Sequence, residues 1–189
     1  MPIIADNKGE FEKPPLGLNN AVCYNVVDLG MQEDTYKGVK STKHKIMILW
    51  ELEEVQKEGE YAGERHLVFK EYTKSLGDKA NLRKDMRSWR GKDFNEEELQ
   101  GFDVEKVISK RVTLSLALNK NQNVFVDALA MPQATNELVA KKLGYIPDWI
   151  KKKVNASTDG EFYDGPEDEP DLPPENEIIE AGPETDLMF

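Results

Sequence analysis

The chain has 189 residues, of which 25 are Lys or Arg and 36 are Asp or Glu, so its formal net charge is −11. Its single cysteine, Cys23, excludes a framework of intrachain disulfides. Cys23, His44 and His66 lack the spacing of a zinc site, and the longest apolar run, at 46–50, is too short to span a bilayer. These features predict a soluble protein of a reducing compartment, with no membrane contact, metal or cofactor.

The charge is unevenly distributed along the chain. All 25 basic residues and 24 of the acidic ones lie in residues 1–153, whereas residues 154–189 hold twelve acidic residues, five prolines and no Lys or Arg. A segment of this composition buries too little apolar surface to offset the conformational entropy lost on folding, so we expect a disordered acidic tail. We therefore predict a domain at 1–153, with a barrel at about 20–131 and an extension at 132–153, followed by the tail at 154–189.

The first half of the body predicts three strands, at 21–30, 44–53 and 66–73. The second strand has apolar side chains at every other position, which is typical of a strand with one buried face. The third strand alternates in the same way, and this alternation predicts that Lys70 and Tyr72 face the solvent. The residues between the first two strands, 31–43, are predicted to form a loop.

A helix is predicted after the third strand, because the apolar residues change period there. Leu82, Met86 and Trp89 recur at helical spacing within residues 77–90. Asp78 is a suitable N-cap for this helix, and Gly91 is a suitable stop.

Two more strands are predicted at 111–118 and 122–131, joined by a hairpin loop at 119–122. A second helix is predicted at 136–143, capped by Thr135. The order of three strands, a helix and two strands is that of the OB-fold, a five-stranded Greek-key barrel that binds oligonucleotides or oligosaccharides on its strand 2–3 face. The sequence therefore predicts a mainly β (α+β) fold with one or two helices and an OB-fold-like barrel. SH3-like barrels and other small α+β sheets are the alternatives.

Basic side chains interleaved with aromatic ones mark a predicted nucleic-acid-binding surface. Cations bind the phosphates of a single strand, while its bases stack on aromatic rings. The predicted contacts are Tyr36, Lys37, Lys40, Lys43, Lys45, Lys70, Tyr72, Lys74, Arg83, Arg87, Arg90 and Lys120. The alternative for the helix cations is a solvated face that pairs with acids such as Asp78 and Asp85.

Signals of catalysis are weak. The chain has no G-x-S-x-G, P-loop or HExxH motif. Glu51 and Glu53 project from one face of a strand and, with Asp28, are candidates for a two-metal nuclease site. The favoured alternative is that they are outward charges on a half-solvated strand. A Cys23–His44 dyad is also less favoured than a buried Cys23, so we predict that the protein is not an enzyme.

The tail ends on Asp186, Leu187, Met188 and Phe189. Three exposed apolar residues serve no solubility purpose. An aromatic side chain beside a free carboxylate, preceded by acids, suits an apolar pocket with a basic rim. These four residues are the predicted partner-binding site, and a purely solubilising tail is the alternative.

Four segments carry a resemblance to a known group of proteins: YTKS at 72–75, NLRK at 81–84, SWRGKDF at 88–94 and ELQGFD at 98–103. In these segments the chain resembles small proteins of tailed bacteriophages that are associated with replication and recombination gene clusters, some of them described as single-stranded DNA-binding proteins. The tail is similar to that of bacterial and phage single-strand binding proteins, which pair an OB domain with a disordered acidic tail ending in an aromatic tip. It departs from them in having Met188 where the tip usually has Pro.

The resemblance implies a single-stranded DNA-binding protein of a phage replication or recombination system, acting in the cytoplasm of the infected bacterial host. The expected partners are single-stranded DNA, bound without strong sequence preference, and phage or host replication and recombination proteins recruited by the tail. A homodimer is compatible with the sequence. The alternatives are a metal-dependent phage nuclease and a phage interaction adaptor that does not bind nucleic acid.

Overall fold

The computed structural model describes residues 12–36, 39–133 and 137–157, with all their side chains except those of residues 34–36 and 39. Lys37 and the predicted tail from residue 158 onward, with its tip at Asp186, Leu187, Met188 and Phe189, lie outside the described residues. Within these ranges, no helix is long and apolar enough to cross a membrane.

Five strands and three α-helices make up the described part of the chain. In chain order the elements are β1 (Gly17–Tyr36), β2 (Val39–Val55), β3 (Arg65–Thr73), α1 (Asn81–Arg90), α2 (Glu96–Gln100), a 3-10 helix (Val104–Val107), β4 (Arg111–Leu118), β5 (Val124–Ala130) and α3 (Asp148–Asn155). The strands form one antiparallel sheet in the order β3-β2-β1-β4-β5. The prediction of a mainly β, α+β fold with a helix between the third and fourth strands is confirmed.

The sheet curves until its two edge strands, β3 and β5, contact each other. At this seam Lys70 Nζ donates a hydrogen bond to the backbone oxygen of Asp127 at 3.0 Å, and α1 packs against both strands. The enclosed space is filled by a first apolar core. Its members include Ile46, Ile48, Trp50 and Leu52 of β2, Tyr72 of β3, and Leu82, Met86 and Trp89 of α1.

The boundaries of α1 confirm one predicted signal and correct the other. Gly91 ends the helix with a φ of 71°, in the left-handed region that favours glycine. Asp78 does not cap it, because the helix begins at Asn81 and the N-cap residue, Ala80, makes no side-chain cap bond. The carboxylate of Asp78 pairs instead with Arg83 Nη1 at 2.5 Å.

Strands β1 and β2 extend past the rest of the sheet as a two-stranded arm, which we define as residues 31–36 and 39–44. Cross-strand pairing continues to Tyr36 opposite Val39, whereas β3 pairs with β2 only as far as Lys45 and β4 pairs with β1 only as far as Val22. The prediction of a loop at 31–43 is therefore wrong for the described residues. Along this stretch each strand bonds the other through the backbone groups that point toward it, while the alternate groups point away from the pair.

Residues 137–157 lie across the outer face of β1, β2 and β3, and we call this segment the strap. It buries Leu138, Ile146 and Ile150 in a second apolar core. The sheet contributes side chains that alternate with those of the first core, namely Val22, Tyr24, Val27, Leu29, Met47, Leu49 and Phe69. The aromatic rings of Trp149 and Phe69 pack together with their centroids 4.8 Å apart. The sheet is thus apolar on both faces between β1 and β3.

The helix predicted at 136–143 is absent from the described part of that range, and the helix of the strap begins at Asp148. The backbone N–H groups of Lys141 and Lys142 donate to the Glu51 carboxylate, so they are not available for bonds within a helix. Helix α3 then runs to Asn155, and Val154 packs against the second core. The strap therefore continues through the predicted boundary between residues 153 and 154.

The strap can be tested by truncating one of its buried side chains. Ile150 is 0% exposed, so Ile150→Ala leaves a cavity and is expected to lower the free energy of unfolding by about 2–5 kcal/mol. Val139→Ala, in the same segment but 67% exposed, is the matched control and should change it by less than about 0.5 kcal/mol. Urea denaturation measures both, and equal effects would contradict the packing of the strap.

Candidate nucleic-acid interface

The aromatic contact predicted on β3 is not at the surface. Tyr72 is 1% exposed and its hydroxyl donates to Asp85 Oδ2 at 2.8 Å. Burial, together with the nearby charge of Asp85, raises the pKa of this hydroxyl well above its usual value. The prediction of an exposed Tyr72 is wrong, because Tyr72 pairs with Ile46 on the inner face of the sheet and the strap covers the face that was expected to be the core side.

Lys70, also predicted on β3, is part of the seam between β3 and β5. Its ammonium lies 2.9 Å from Asp85 Oδ2 and also bonds the backbone oxygen of Asp127, and its side chain is 15% exposed. Lys70 therefore links β3 to β5 and to α1.

The cations predicted on α1 are largely engaged by neighbouring acids. Arg83 pairs with Asp78 at 2.5 Å and with Asp93 at 3.2 Å. Arg87 is more exposed and lies 3.8 Å from the same Asp93 carboxylate. This arrangement matches the alternative weighed for the helix, a solvated face that pairs with acids.

Arg90, at the end of α1, organises the segment that follows the helix. Its guanidinium lies 4.5 Å from the ring centroid of Phe94 and 5.0 Å from that of Phe102, and it pairs with Glu98 at 2.5 Å. Glu98 also closes a capping box with Asn95 at the start of α2. Arg90 thus has a structural partner on each side.

Lys120 is exposed in the turn between β4 and β5. Because Gly17, at the start of β1, pairs with Leu116, near the end of β4, this turn lies at the end of the sheet away from the arm. Lys120 and the arm cations are therefore not brought together.

Asp28, His44 and Lys74 form a polar cluster where the arm meets the sheet. The Asp28 carboxylate contacts His44 Nε2 at 2.6 Å and Lys74 Nζ at 2.9 Å. Its pKa is raised by burial but lowered more by these bonds and by the backbone N–H of Gly30, so that it lies below the usual value. Lys74 is thus placed at the base of the arm, with its charge shared with Asp28.

The other predicted cations lie on β2, at the base of the arm and along it. Lys45 Nζ lies 3.0 Å from Glu71 Oε1, and Lys43 is two residues earlier on the same strand face, opposite Gln32. Lys40 is exposed farther along the arm. The backbone of Tyr36 pairs with Val39 at the described end of the arm.

Sequence reasoning missed the lysines of α3. Lys153 Nζ bonds Glu71, the same carboxylate that Lys45 contacts, and its backbone oxygen accepts a hydrogen bond from Gln32 Nε2 at 3.2 Å. Lys152 beside it is exposed. The run of three lysines at 151–153 was the available signal, but only the folded strap places it against β2 and β3.

The strand 2–3 face, where an OB-fold binds its ligand, is covered by the strap. Burial of Leu138, Ile146 and Ile150 contributes about 1.5–3 kcal/mol for each side chain. Stacking of one base returns about 1–3 kcal/mol, so several stacked bases would be needed merely to offset the loss of these three contacts. A strand bound in place of the strap would also meet the charge of Glu51.

Glu51 is buried rather than solvated, which corrects both interpretations made from the sequence. It is 1% exposed, and its carboxylate accepts hydrogen bonds from Arg65 Nη1 at 3.1 Å and from the backbone N–H of Lys141 at 2.9 Å. Glu53, by contrast, is exposed and accepts a bond from Asn20 Nδ2 at 2.8 Å.

The carboxylates of the nuclease hypothesis do not converge. Glu51 pairs with Val22, and Asp28 lies six residues farther along β1; at about 3.3 Å per residue the two are about 20 Å apart along the strand. A two-metal site needs carboxylates around ions about 4 Å apart. Among the described residues, no group of three or more His, Cys, Asp or Glu is arranged to hold a metal ion.

The Cys23–His44 dyad is not formed either. Cys23 pairs with Trp50, whereas His44 pairs with Met31 eight residues along β1. The thiol is fully buried, and burial raises its pKa far above the ordinary value, so Cys23 is a small core residue, as the favoured alternative predicted.

Comparison of the chain with protein-family models, with curated proteins and with solved structures finds no match.

The role of Glu51 can be tested by removing its carboxylate. In Glu51→Ala, two backbone N–H groups of the strap lose their acceptor, and the Arg65 guanidinium loses its charge partner and keeps the backbone oxygen of Val139. The free energy of unfolding should therefore fall by about 3–5 kcal/mol. Glu53→Ala removes an exposed carboxylate two residues away and should cost less than about 1 kcal/mol. Chemical denaturation measures both variants, and a loss for Glu51→Ala no greater than for Glu53→Ala would contradict the assignment.

Glu71 gives a prediction for acid stability. Burial raises the pKa of Glu71, but the bonds and charges of Lys153 and Lys45 lower it more, so it lies below the usual value. A carboxyl whose pKa is depressed stabilises the fold above its unfolded pKa of about 4.3, and this contribution is lost as the pH falls through the folded pKa. Glu71→Gln should therefore lower the urea midpoint near pH 7, and its difference from wild type should shrink toward about pH 3.

The control for the loss of one negative charge is Glu97→Gln, on the exposed surface of α2. A difference between Glu71→Gln and wild type that stays constant from neutral to acidic pH would show that Glu71 does not hold the two lysines through its charge.

Proposed function

We propose that the protein is a single-stranded DNA-binding protein of a phage replication or recombination system, built on an OB-fold-like barrel. The observation that carries the proposal is the gathering of cations at the base of the arm, on a sheet ordered β3-β2-β1-β4-β5. Contact between the edge strands β3 and β5, and a helix between β3 and β4, are features expected of a Greek-key barrel of this type.

The way in which the strand is bound follows from the side chains available. Of the aromatic side chains that the structure describes, none is more than partly exposed. Base stacking therefore contributes little on this part of the surface, and binding depends mainly on phosphates. Such binding tolerates any sequence and weakens steeply with salt.

The assignment to a phage rests on the sequence resemblance, and so does action in the cytoplasm of the infected host. The tail is proposed to recruit a replication or recombination protein through Asp186, Leu187, Met188 and Phe189, whose acid and terminal aromatic suit an apolar pocket with a basic rim. With twelve acidic residues from 158 onward and no basic ones, the tail also competes with DNA for the cations of the body.

Titration of the full chain with labelled oligo-dT tests the DNA-binding proposal. We expect binding at low salt, with a log–log salt slope of about −0.7 per phosphate neutralised, and weaker binding of a duplex of equal length. Absence of oligo-dT binding at low salt would end the proposal and leave the interaction adaptor. Incubation of the same oligonucleotides with Mg²⁺ or Mn²⁺ tests the nuclease alternative.

The tail is tested in the same assay by ending the chain at Ser157, which keeps Val154 in the second core. Removal of residues 158–189 takes away only negative charge, so the affinity for oligo-dT should stay the same or rise. A large loss of affinity would contradict the proposed role of the tail.

A further inference from the structure

The strap determines which surfaces of the protein a bound DNA strand can reach. It occupies the outer face of β1, β2 and β3 with Leu138, Ile146 and Ile150 buried beneath it, and the charge of Glu51 lies under it. Single-stranded DNA that binds this protein therefore needs a cationic surface that is accessible while the strap is in place.

We propose that phosphates of single-stranded DNA bind a basic patch formed by Lys43 and Lys45 of β2 together with Lys152 and Lys153 of α3. The proposal rests on the proposed function and names the path of the strand on the folded protein. The patch joins two segments that are about a hundred residues apart in the sequence, and its α3 half is supplied by the strap itself.

The Glu71 carboxylate holds the two halves of the patch together. Lys45 Nζ lies 3.0 Å from Glu71 Oε1, and Lys153 Nζ bonds Glu71 Oε2. Gln32, opposite Lys43 in the arm, adds a second link, because its Nε2 donates to the backbone oxygens of Leu29 at 2.6 Å and of Lys153 at 3.2 Å. The arm and α3 are therefore fixed to each other at this point.

The charge of the patch favours a polyanion. Two ammonium groups, those of Lys45 and Lys153, share the single carboxylate of Glu71, and Lys152, next to Lys153 in the chain, is exposed. On α1, by contrast, Arg83 and Arg87 face two carboxylates, those of Asp78 and Asp93. Each ammonium has three donors, so a lysine that bonds Glu71 can also bind a phosphate oxygen. Pre-positioned cations of this kind lose less side-chain entropy when a phosphate arrives.

The cations continue from the patch toward the end of the arm. Lys43 and Lys45 are on the same face of β2, and the exposed Lys40 follows farther along the arm. A strand that engages the patch therefore continues along the arm rather than across the sheet. Lys120, at the opposite end of the sheet, is not on this path.

Lysine footprinting on the full chain tests the patch without any mutation. The protein is acylated with and without saturating oligo-dT, and the modified lysines are quantified by mass spectrometry. We expect Lys43 and Lys152 to be protected by oligo-dT, while Lys84 on the exposed side of α1 and Lys120 keep their reactivity. Protection of Lys84 and Lys120 without protection of the patch would overturn the proposal.

Two charge-matched double variants give the affinity test. Lys43→Glu/Lys152→Glu should weaken oligo-dT binding by at least about tenfold at low salt and make the salt slope less steep by about 1.4, the value for two phosphate contacts. Lys84→Glu/Lys120→Glu carries the same change in net charge and should weaken binding by less than about threefold. Equal losses in the two variants would overturn the proposal. Equal urea midpoints verify that both variants are folded.

Hydrogen exchange of the strap completes the experiment. With oligo-dT bound, the backbone amides of residues 146 and 148–154 should stay as protected as in the free protein, because the DNA does not pass beneath the strap. Loss of their protection on binding would overturn the proposal. If wild-type protein fails to bind oligo-dT at all, the proposed function itself fails, whereas binding without any effect at the patch refutes only this inference.

Discussion

The buried carboxylate of Glu51 ties together parts of the chain that are far apart in the sequence. It accepts hydrogen bonds from the Arg65 guanidinium at the start of β3 and from the backbone N–H groups of Lys141 and Lys142 in the strap. A buried carboxylate without such partners is strongly destabilising. The sheet can therefore bury Glu51 only when the strap lies across it and supplies these N–H groups. The second apolar core forms under the strap as a consequence.

The strap changes what the sheet can do. In an OB-like barrel with a bare outer face, the strand 2–3 surface would be the place for a ligand. Here that surface is a packed interior, with Trp149 against Phe69, and the polar chemistry is displaced to its margin. At that margin, Glu71 connects Lys45 of β2 to Lys153 of α3.

The charge distribution has a corresponding structural meaning. Residues 1–153, with 25 basic and 24 acidic residues, have a net excess of only one positive charge to attract a polyanion, so any attraction depends on how the fold pairs its charges. On α1 and at the seam, acids neutralise the cations locally, as Asp93 does for Arg83 and Asp85 does for Lys70. At Glu71, two ammonium groups, those of Lys45 and Lys153, share one carboxylate.

Sequence patterns were sufficient to predict the strands and the helix whose buried face is marked by residues close together in the chain. The period-2 pattern of β2 placed Ile48 and Trp50 in the core, and the helical period placed Leu82 and Trp89 there, because each pattern records one buried face of one element. The tertiary structure alone decided which face of β3 is interior, why residues 31–36 and 39–44 form an arm, and where α3 begins. These outcomes depend on contacts such as that between Glu51 and Lys141, 90 residues apart, and a pattern within one segment carries no information about the segment that will cover it.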